Sequence, residues 1–314
     1  MRRRLCVATM NDPILAQPRS TRFAHALLDA CRILPAGLAW RLGKGLGDLV
    51  GRLPLRDVKR TREHLAIAFP ESSANDLDRQ VRQVWQHFGA SALWTLATAT
   101  GDPARLRRHI AIEGAENLKA AAAASRRGEG TVVYTGHFGN WEVMGRVSGA
   151  LVPLSVIGRR LRHPAVDAVV HRLRTSGGAQ VIYQDTDIRD IIRELRRGRI
   201  VATLADQDIP HLAGVFVPWF GRLAFTPSAP AGLAQVARCP VMPVFLLRRA
   251  GRWVLHVGPR TAFPKPANRE AGILAITAWA TAYQEALVRR HPGQWAWWHK
   301  RWRTRPPEEA TVSG

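Results

Sequence analysis

A histidine and a glutamate, five positions apart, follow a short apolar run near the middle of the chain. The run Thr131–Thr135 (TVVYT) is typical of a buried strand, and it leads into the turn GHFGN, which contains His137. Glu142 follows in the first turn of a predicted helix. Because residues five apart diverge on a regular helix, the two side chains can converge only if His137 precedes it. A histidine oriented by a carboxylate is a general base, so this pair predicts acid–base chemistry.

No nucleophile of the protein's own adjoins this pair. The motif G-x-S-x-G is absent, since Ser148 stands three residues after Gly145 and directly before Gly149. We therefore expect the base to activate a hydroxyl of the substrate. The alternative is structural, with Glu142 capping the helix and His137 buried and hydrogen-bonded.

Two further D-x-D pairs could suggest a metal site. Asp206 and Asp208 follow a predicted strand, but no third ligand is near, so we interpret Asp206 as a hydrogen-bond acceptor. Asp185 and Asp187 directly precede a predicted helix, where an N-cap is the favoured role. Neither pair predicts a metal.

Short apolar runs alternate with helical patterns in the second part of the chain. The runs predict strands at 131–135, 152–157, 181–183, 200–204, 241–247 and 253–257. Helices fit at 114–127, 141–150, 164–176, 186–197, 227–238 and 269–291. This alternation indicates a layered α/β sheet. Residues 22–105 read as helical, with interruptions at Pro35 and Pro54 and a helix at 76–98.

The charge of the chain points to an anionic partner. Lys and Arg number 46 against 24 Asp and Glu, which gives a net charge of +22. Nucleic acid, an acidic protein or an anionic membrane surface would suit this charge. The three cysteines are far apart, which excludes a disulfide framework. The N-terminal apolar run is too short for a signal peptide, and we predict no transmembrane helix.

Two segments mix apolar and basic residues. Residues 22–55 fit either a helix in a membrane interface or an ordinary packed amphipathic helix. The C-terminal tail interleaves four tryptophans with Lys and Arg, which predicts an interfacial anchor; stacking on single-stranded nucleic acid is the less favoured alternative. An aromatic cluster around 216–225 fits the lining of an apolar tunnel and core packing equally.

The block TGHFGNWE (135–142), with H-x-x-x-x-E spacing, resembles the signature of glycerolipid and lysophospholipid acyltransferases. The sequence is similar in particular to the late acyltransferases of lipid A biosynthesis, the lauroyl and myristoyl transferases that act on Kdo-lipid A. The likeness covers roughly residues 33–306, and further blocks agree in order: IEGAENL (112–118), IGRRLRHP (157–164), Arg174 before a glycine turn, DQD (206–208), VFVPWFGRLA (215–224) and QWAWWHKRWRTRP (294–306).

The resemblance implies roles for the site. His137 would deprotonate a hydroxyl that attacks an acyl thioester, and Glu142 would orient His137. The tetrahedral oxyanion also needs donors, for which we expect the backbone N–H groups of Gly139 and Asn140. Arg159 would bind a phosphate or the thioester oxygen, since it matches the first arginine of the family. Arg174 matches the second arginine, and Asp206, Gln207 and Asp208 match its DQD, so we expect these four in the substrate site.

Together these inferences predict a single α/β acyltransferase domain over 1–314, with a central mixed sheet flanked by helices. Residues 1–21 are expected to be flexible, 22–105 to form a helical membrane-associating portion, and 106–306 to form the catalytic core and tail. The resemblance implies an acyl carrier protein donor, a lipid A precursor acceptor, the cytoplasmic face of the inner membrane, and no cofactor. The alternatives are acylation of another lipid, such as a lysophospholipid or phosphatidylinositol mannoside, and a non-enzymatic basic binding protein.

Overall fold

Three helices precede the sheet in this computed structural model, which describes residues 33–99, 101–102, 106–183 and 185–307. They are α1 (Ala36–Arg52), α2 (Arg56–Ala68) and α3 (Ala74–Thr98). Helix α1 packs closely against α3. Gly43 and Gly47 lie so near the α3 backbone that a Cβ added at either position would overlap it. The predicted flexible segment 1–21, and the part of the membrane-associating segment up to residue 32, lie outside the described residues.

A seven-stranded sheet with flanking helices forms the rest of the fold. In chain order the elements are β1 (Ile110–Glu113), α4 (Ala115–Arg126), β2 (Thr131–Thr135), α5 (Trp141–Gly149), β3 (Leu154–Gly158), α6 (Pro164–Thr175), β4 (Gln180–Tyr183), α7 (Ile188–Arg196), β5 (Ile200–Leu204), β6 (Gly214–Trp219), β7 (Arg222–Pro227), α8 (Ala229–Ala237), β8 (Val241–Arg249), β9 (Arg252–Val257) and α9 (Arg269–Arg290).

The strand order β1-β9-β8-β2-β5-β3-β4 places β2 and β5 side by side in the middle of the sheet. Strands β8, β2, β5, β3 and β4 run parallel, while β9 is antiparallel to β8 and parallel to β1. Strand β2 is buried throughout, as its apolar run predicts. Because Thr135 pairs with Leu204, the chains leave β2 and β5 at the same edge and in register.

The predicted α/β class, with a central mixed sheet flanked by helices, is confirmed, and all six predicted strands are present. Strand β1 and the hairpin β6–β7 were not predicted as strands. Strand β1 is a four-residue strand at the edge of the sheet. The hairpin forms a separate two-stranded sheet and contains the motif VFVPWFGRLA (215–224), whose sequence alone did not predict strands. In the described part of the chain, no helix combines the length and the apolar character needed to span a membrane.

The C-terminal tail corrects the prediction of an interfacial anchor. Trp295 and Trp297 are fully buried, and Trp302 is nearly so. Arg301 is also fully buried and donates hydrogen bonds to the Phe225 carbonyl and the Thr226 hydroxyl. The tail therefore packs into the core, where the indole N–H of Trp295 donates to Asp206 and that of Trp297 donates to the Pro292 carbonyl.

Candidate active site

His137 forms a hydrogen-bonded pair with Asp206 at the carboxyl edge of the sheet. Each residue lies two positions beyond the paired residues Thr135 and Leu204, which brings the two side chains together. The Nδ1 of His137 is 2.8 Å from Asp206 Oδ1, and its backbone N–H donates to Oδ2 over 2.7 Å. Because an ionised carboxylate only accepts, Nδ1 carries the proton and Nε2 presents its lone pair. The carboxylate is buried, whereas the imidazole is 20% exposed and reachable by substrate.

Two other donors hold Asp206 in place. Its Oδ2 accepts the indole N–H of Trp295 over 2.9 Å and the side-chain amide of Gln284 over 3.2 Å. Burial alone would raise the pKa of Asp206, but the charge and hydrogen bond of His137 hold this pKa well below its usual range. Asp206 is therefore an ionised acceptor for four N–H groups, from three different elements of the chain.

Glu142 is not the hydrogen-bond partner of His137, which corrects the predicted pairing. Its carboxylate accepts two hydrogen bonds from Arg174, over 2.9 Å from Nε and 2.6 Å from a terminal nitrogen. Burial would lower the pKa of Arg174, but the hydrogen bond and charge of Glu142 raise it overall. The physical reason is register: Asp206, two residues beyond the end of β5 and beside the end of β2, reaches the Nδ1 of His137. Glu142, predicted to orient the base, and Arg174, predicted to bind substrate, form one bidentate ion pair between α5 and α6.

The turn after β2 does not provide the predicted backbone oxyanion donors. The N–H of Gly139 donates to the Gln294 carbonyl over 2.8 Å, and that of Asn140 donates to the Leu246 carbonyl over 2.9 Å. The Asn140 side chain is also engaged, since it caps α5 through the Val143 N–H and donates to the Thr95 hydroxyl. Both residues fix the turn between the tail and β8, and neither N–H is available to an oxyanion.

Gly139 is required in this turn for steric reasons. Its φ is +67°, and an added Cβ would lie 1.9 Å from the Leu246 carbonyl oxygen. The fully buried His87 of α3 also donates to the Gly139 carbonyl, and burial lowers the pKa of His87 to about 4. A neutral histidine thus supports the turn that carries His137.

Gln207 and His299 complete the surroundings of the imidazole. The side-chain nitrogen of Gln207 lies 3.1 Å from Nε2 of His137 and 3.0 Å from Nε2 of His299. The two imidazoles are edge to face with centroids 4.7 Å apart, and Trp141 lies against the other side of His137 at 4.9 Å. Gln207, which was predicted to be in the site, therefore lies beside His137. His299 also lies there, although the sequence predicted no role for it beyond its place in the tail motif.

The other predicted residues lie around this centre. Asp208 accepts hydrogen bonds from the backbone and hydroxyl of Thr304, so it fastens the tail. Asp187 is the N-cap of α7, as predicted. Arg159 is exposed in the loop after β3, while its neighbour Arg160 stacks over Tyr183 with its guanidinium 3.8 Å from the ring centroid. Among the described residues, no group of three or more His, Cys, Asp or Glu could hold a metal ion.

A paired imidazole and carboxylate at the edge of an α/β sheet is an arrangement that suits a general base, and comparison with known proteins decides the family. The model of the bacterial lipid A biosynthesis acyltransferases matches residues 15–304. The chain belongs to the bacterial lipid A biosynthesis acyltransferase family. It is therefore an acyltransferase.

The similarity to individual family members is distant but extends over most of the chain. A lipid A biosynthesis palmitoleoyltransferase of Escherichia coli (strain K12) is 25% identical over 283 residues, which cover 89% of each chain. A lauroyltransferase of the same organism is 27% identical over 280 residues, covering 87% of this chain and 88% of its own. A phosphatidylinositol mannoside acyltransferase of Mycolicibacterium smegmatis is 24% identical over 206 residues, covering 64% of this chain and 65% of its own.

In this acyltransferase, the sequence did not predict a site role for three residues around the His137–Asp206 pair. They are Gln284 of α9, Trp295, and His299. The tail motif was the available signal for Trp295 and His299, but its tryptophans were interpreted as a membrane anchor. Nothing in the sequence around Gln284 distinguishes it from other helical glutamines.

Proposed function

We propose that this protein transfers a fatty acyl chain from an acyl thioester to a hydroxyl of a lipid A precursor, with His137 as the general base. The observation that carries the proposal is the His137–Asp206 pair, in a chain of the lipid A acyltransferase family. Asp206 keeps the proton on Nδ1, so Nε2 can take a proton from the acceptor hydroxyl. The hydroxyl oxygen then attacks the thioester carbonyl carbon.

The ion pair of Glu142 and Arg174 has a positioning role in this proposal. The Arg174 guanidinium lies over Gly158 at the end of β3, where an added Cβ would be 2.8 Å from its terminal nitrogen. Glu142 fixes it there, next to the loop that carries Arg159 and Arg160. These cations suit a phosphate of the acceptor or the thioester oxygen, since a guanidinium binds such oxygens bidentately.

An acyl carrier protein is the proposed donor, because an acidic carrier complements a chain of net charge +22. The same charge suits an anionic lipid surface, and α1 offers a second, more local argument for one. Leucines recur at helical spacing along α1 and at its C-cap, and they are between 41% and 58% exposed: Leu38, Leu42, Leu46, Leu49 and Leu53. The exposed cations Arg41, Lys44 and Arg52 lie on the same helix. We propose that α1 lies on the cytoplasmic face of the inner membrane with its leucines in the interface.

Vesicle binding tests the membrane contact separately from catalysis. Changing Leu42 and Leu46 together to serine should weaken binding to anionic vesicles about 10-fold or more, because each leucine buries apolar area in the interface. The matched control is Leu274→Ser on α9, a single leucine that is 46% exposed. Equal binding of the double variant and the control would contradict this orientation of α1.

The central experiment is mass spectrometry of lipid A from cells with and without this gene. We expect the deletion to remove one acyl mass, wild type to restore it, and His137→Ala, produced at equal level, to fail. The same comparison with purified protein, acyl-acyl carrier protein and lipid A precursor identifies the donor.

Unchanged lipid A would refute the acceptor assignment. The distant relative named phosphatidylinositol mannoside acyltransferase makes another glycolipid the second candidate acceptor. A different lipid that loses one chain in a His137-dependent way would support that candidate.

A further inference from the structure

Acyl transfer, as proposed above, needs a donor for the oxyanion of the tetrahedral intermediate. Effective donors lie about 3 Å from that oxygen. The backbone of the turn cannot supply them, because the N–H groups of His137, Phe138, Gly139 and Asn140 each donate within the protein. A side chain next to the base is therefore a candidate donor.

We propose that the side-chain amide of Gln207 stabilises the oxyanion, and that His299 holds this amide beside Nε2 of His137. This inference rests on the proposed acyl transfer. The amide nitrogen is 3.1 Å from the base nitrogen and 3.0 Å from Nε2 of His299. A hydroxyl bound at Nε2 and a carbonyl under attack by that hydroxyl would both lie within reach of the amide.

The amide has a reason to bind the transition state more tightly than the ground state. Before reaction, the amide nitrogen lies against the face of the His137 ring, 3.1 Å from Nε2 and 3.3 Å from Nδ1, so the Nε2 lone pair stays open to the acceptor hydroxyl. The N–H groups of Gln207 therefore have no strong acceptor on His137, and they donate to the carbonyl oxygen most strongly when it becomes anionic. Interactions that strengthen only in the transition state raise kcat, not only the binding of substrate.

His299 suits the positioning role because it stays neutral. Burial, reinforced by the charge of His137, lowers the pKa of His299 to about 3. It therefore adds no second cation beside protonated His137, and its neutral ring packs against the amide nitrogen, which lies 3.0 Å from its Nε2 and 3.3 Å from its Nδ1.

Acyl transfer proceeds by addition of the hydroxyl to the thioester carbon and then elimination of the thiolate. The hydroxyl oxygen forms a bond to the thioester carbon as its proton passes to Nε2, and the carbonyl electron pair moves to the oxygen facing Gln207. When this pair returns, the carbon–sulfur bond breaks, and the thiolate takes the proton from Nε2. The products are an ester and a free thiol, with His137 restored to its neutral form.

Substitutions of Gln207 test the donor. Gln207→Met keeps the length but has no N–H, and Gln207→Glu keeps the shape but only accepts. Both should lower kcat about 10²- to 10³-fold, the cost of one oxyanion donor, with KM within about threefold of wild type. The matched control is Gln180→Met, at an exposed strand end, which should leave kcat unchanged.

An inhibitor pair separates an oxyanion role from a structural one. A trifluoromethyl ketone analogue of the acyl donor forms a tetrahedral adduct, and its affinity should fall in parallel with kcat/KM in the Gln207 variants. A thioether analogue, which has no carbonyl, should bind wild type and variants equally. Equal loss of both analogues, or a Gln207→Met enzyme with kcat within fivefold of wild type, would overturn the assignment.

The role of His299 is tested by rescue. His299→Phe keeps a neutral ring against the amide and should retain most of kcat, whereas His299→Ala removes the ring and should lower kcat. Equal losses in the two variants would overturn the positioning role. A wild-type enzyme without acyl transfer would instead refute the proposed function, and this inference with it.

Discussion

Replacing Asp206 by asparagine should move the proton of His137 to the wrong nitrogen. Oδ2 of Asp206 accepts three N–H groups, from the His137 backbone, Trp295 and Gln284, whereas Oδ1 faces only the Nδ1 of His137. The single oxygen of asparagine will therefore occupy the Oδ2 position, and its NH₂ group will face Nδ1. Nδ1 must then accept, which leaves the proton on Nε2 and removes the base.

The expected loss of activity is large and the expected loss of stability is moderate. The analogous change in a serine–histidine–aspartate triad costs about 10⁴ in kcat through the wrong tautomer, and we expect a loss of about 10³- to 10⁴-fold here. Weakened hydrogen bonds to a buried carboxylate should lower the free energy of unfolding by about 1–3 kcal/mol. Steady-state acyl transfer gives kcat, denaturant unfolding gives stability, and ¹⁵N shifts of the imidazole report the tautomer.

Glu142→Gln is the matched control, since it makes the same carboxylate-to-amide change in the residue that the H-x-x-x-x-E spacing singles out. Its carboxylate binds Arg174, so the substitution weakens an ion pair and should leave the tautomer of His137 unchanged. The reasoning is refuted if Asp206→Asn keeps more than a tenth of wild-type kcat, or if Glu142→Gln shifts the tautomer as Asp206→Asn does.

Two further predictions concern stability. Burial lowers the pKa of His87 to about 4, so between that pH and the unfolded pKa near 6.5 the unfolded chain binds more protons at this residue. His87 alone should therefore lower the free energy of unfolding by about 2 kcal/mol from pH 7 to pH 5, and His87→Asn should remove this part of the slope. An unchanged slope in urea unfolding at the two pH values would contradict it. Gly139→Ala should destabilise the fold by more than about 2 kcal/mol, because its Cβ meets the Leu246 carbonyl, whereas Gly221→Ala, also at positive φ but in open space, should cost only about 1 kcal/mol. Similar losses in both variants would show that the close approach at Gly139 is not the cause.

The sheet and most helices could be predicted from the sequence because their signals are local. An apolar run such as Thr131–Thr135 is buried on both faces only in a parallel sheet, and glycines such as Gly198 end the helices that connect such strands. Strand β1 has four residues at the edge of the sheet, and its burial alternates between exposed and buried. So short a pattern is not distinctive, which is why this strand was missed.

The tail was misinterpreted because composition does not encode location. Trp and Arg are enriched at membrane interfaces, but they also form cores in which Trp N–H groups and guanidinium groups find partners. Here the indole N–H of Trp295 donates to Asp206, and Arg301 is fully buried against the hairpin β6–β7. A membrane function for these residues would have left those donors exposed to solvent.

The partner of His137, Asp206, could not be predicted from spacing along the sequence. His137 and Glu142 are neighbours in sequence, and the spacing invites a local pairing. Strand register decides otherwise: once Thr135 pairs with Leu204, the residues two positions beyond each strand face each other, and these are His137 and Asp206. Asp206 is 69 residues away from His137 in the chain. The proposed general base is therefore assembled by the pairing of β2 with β5, and the H-x-x-x-x-E spacing places Glu142 where it binds Arg174 at the end of β3.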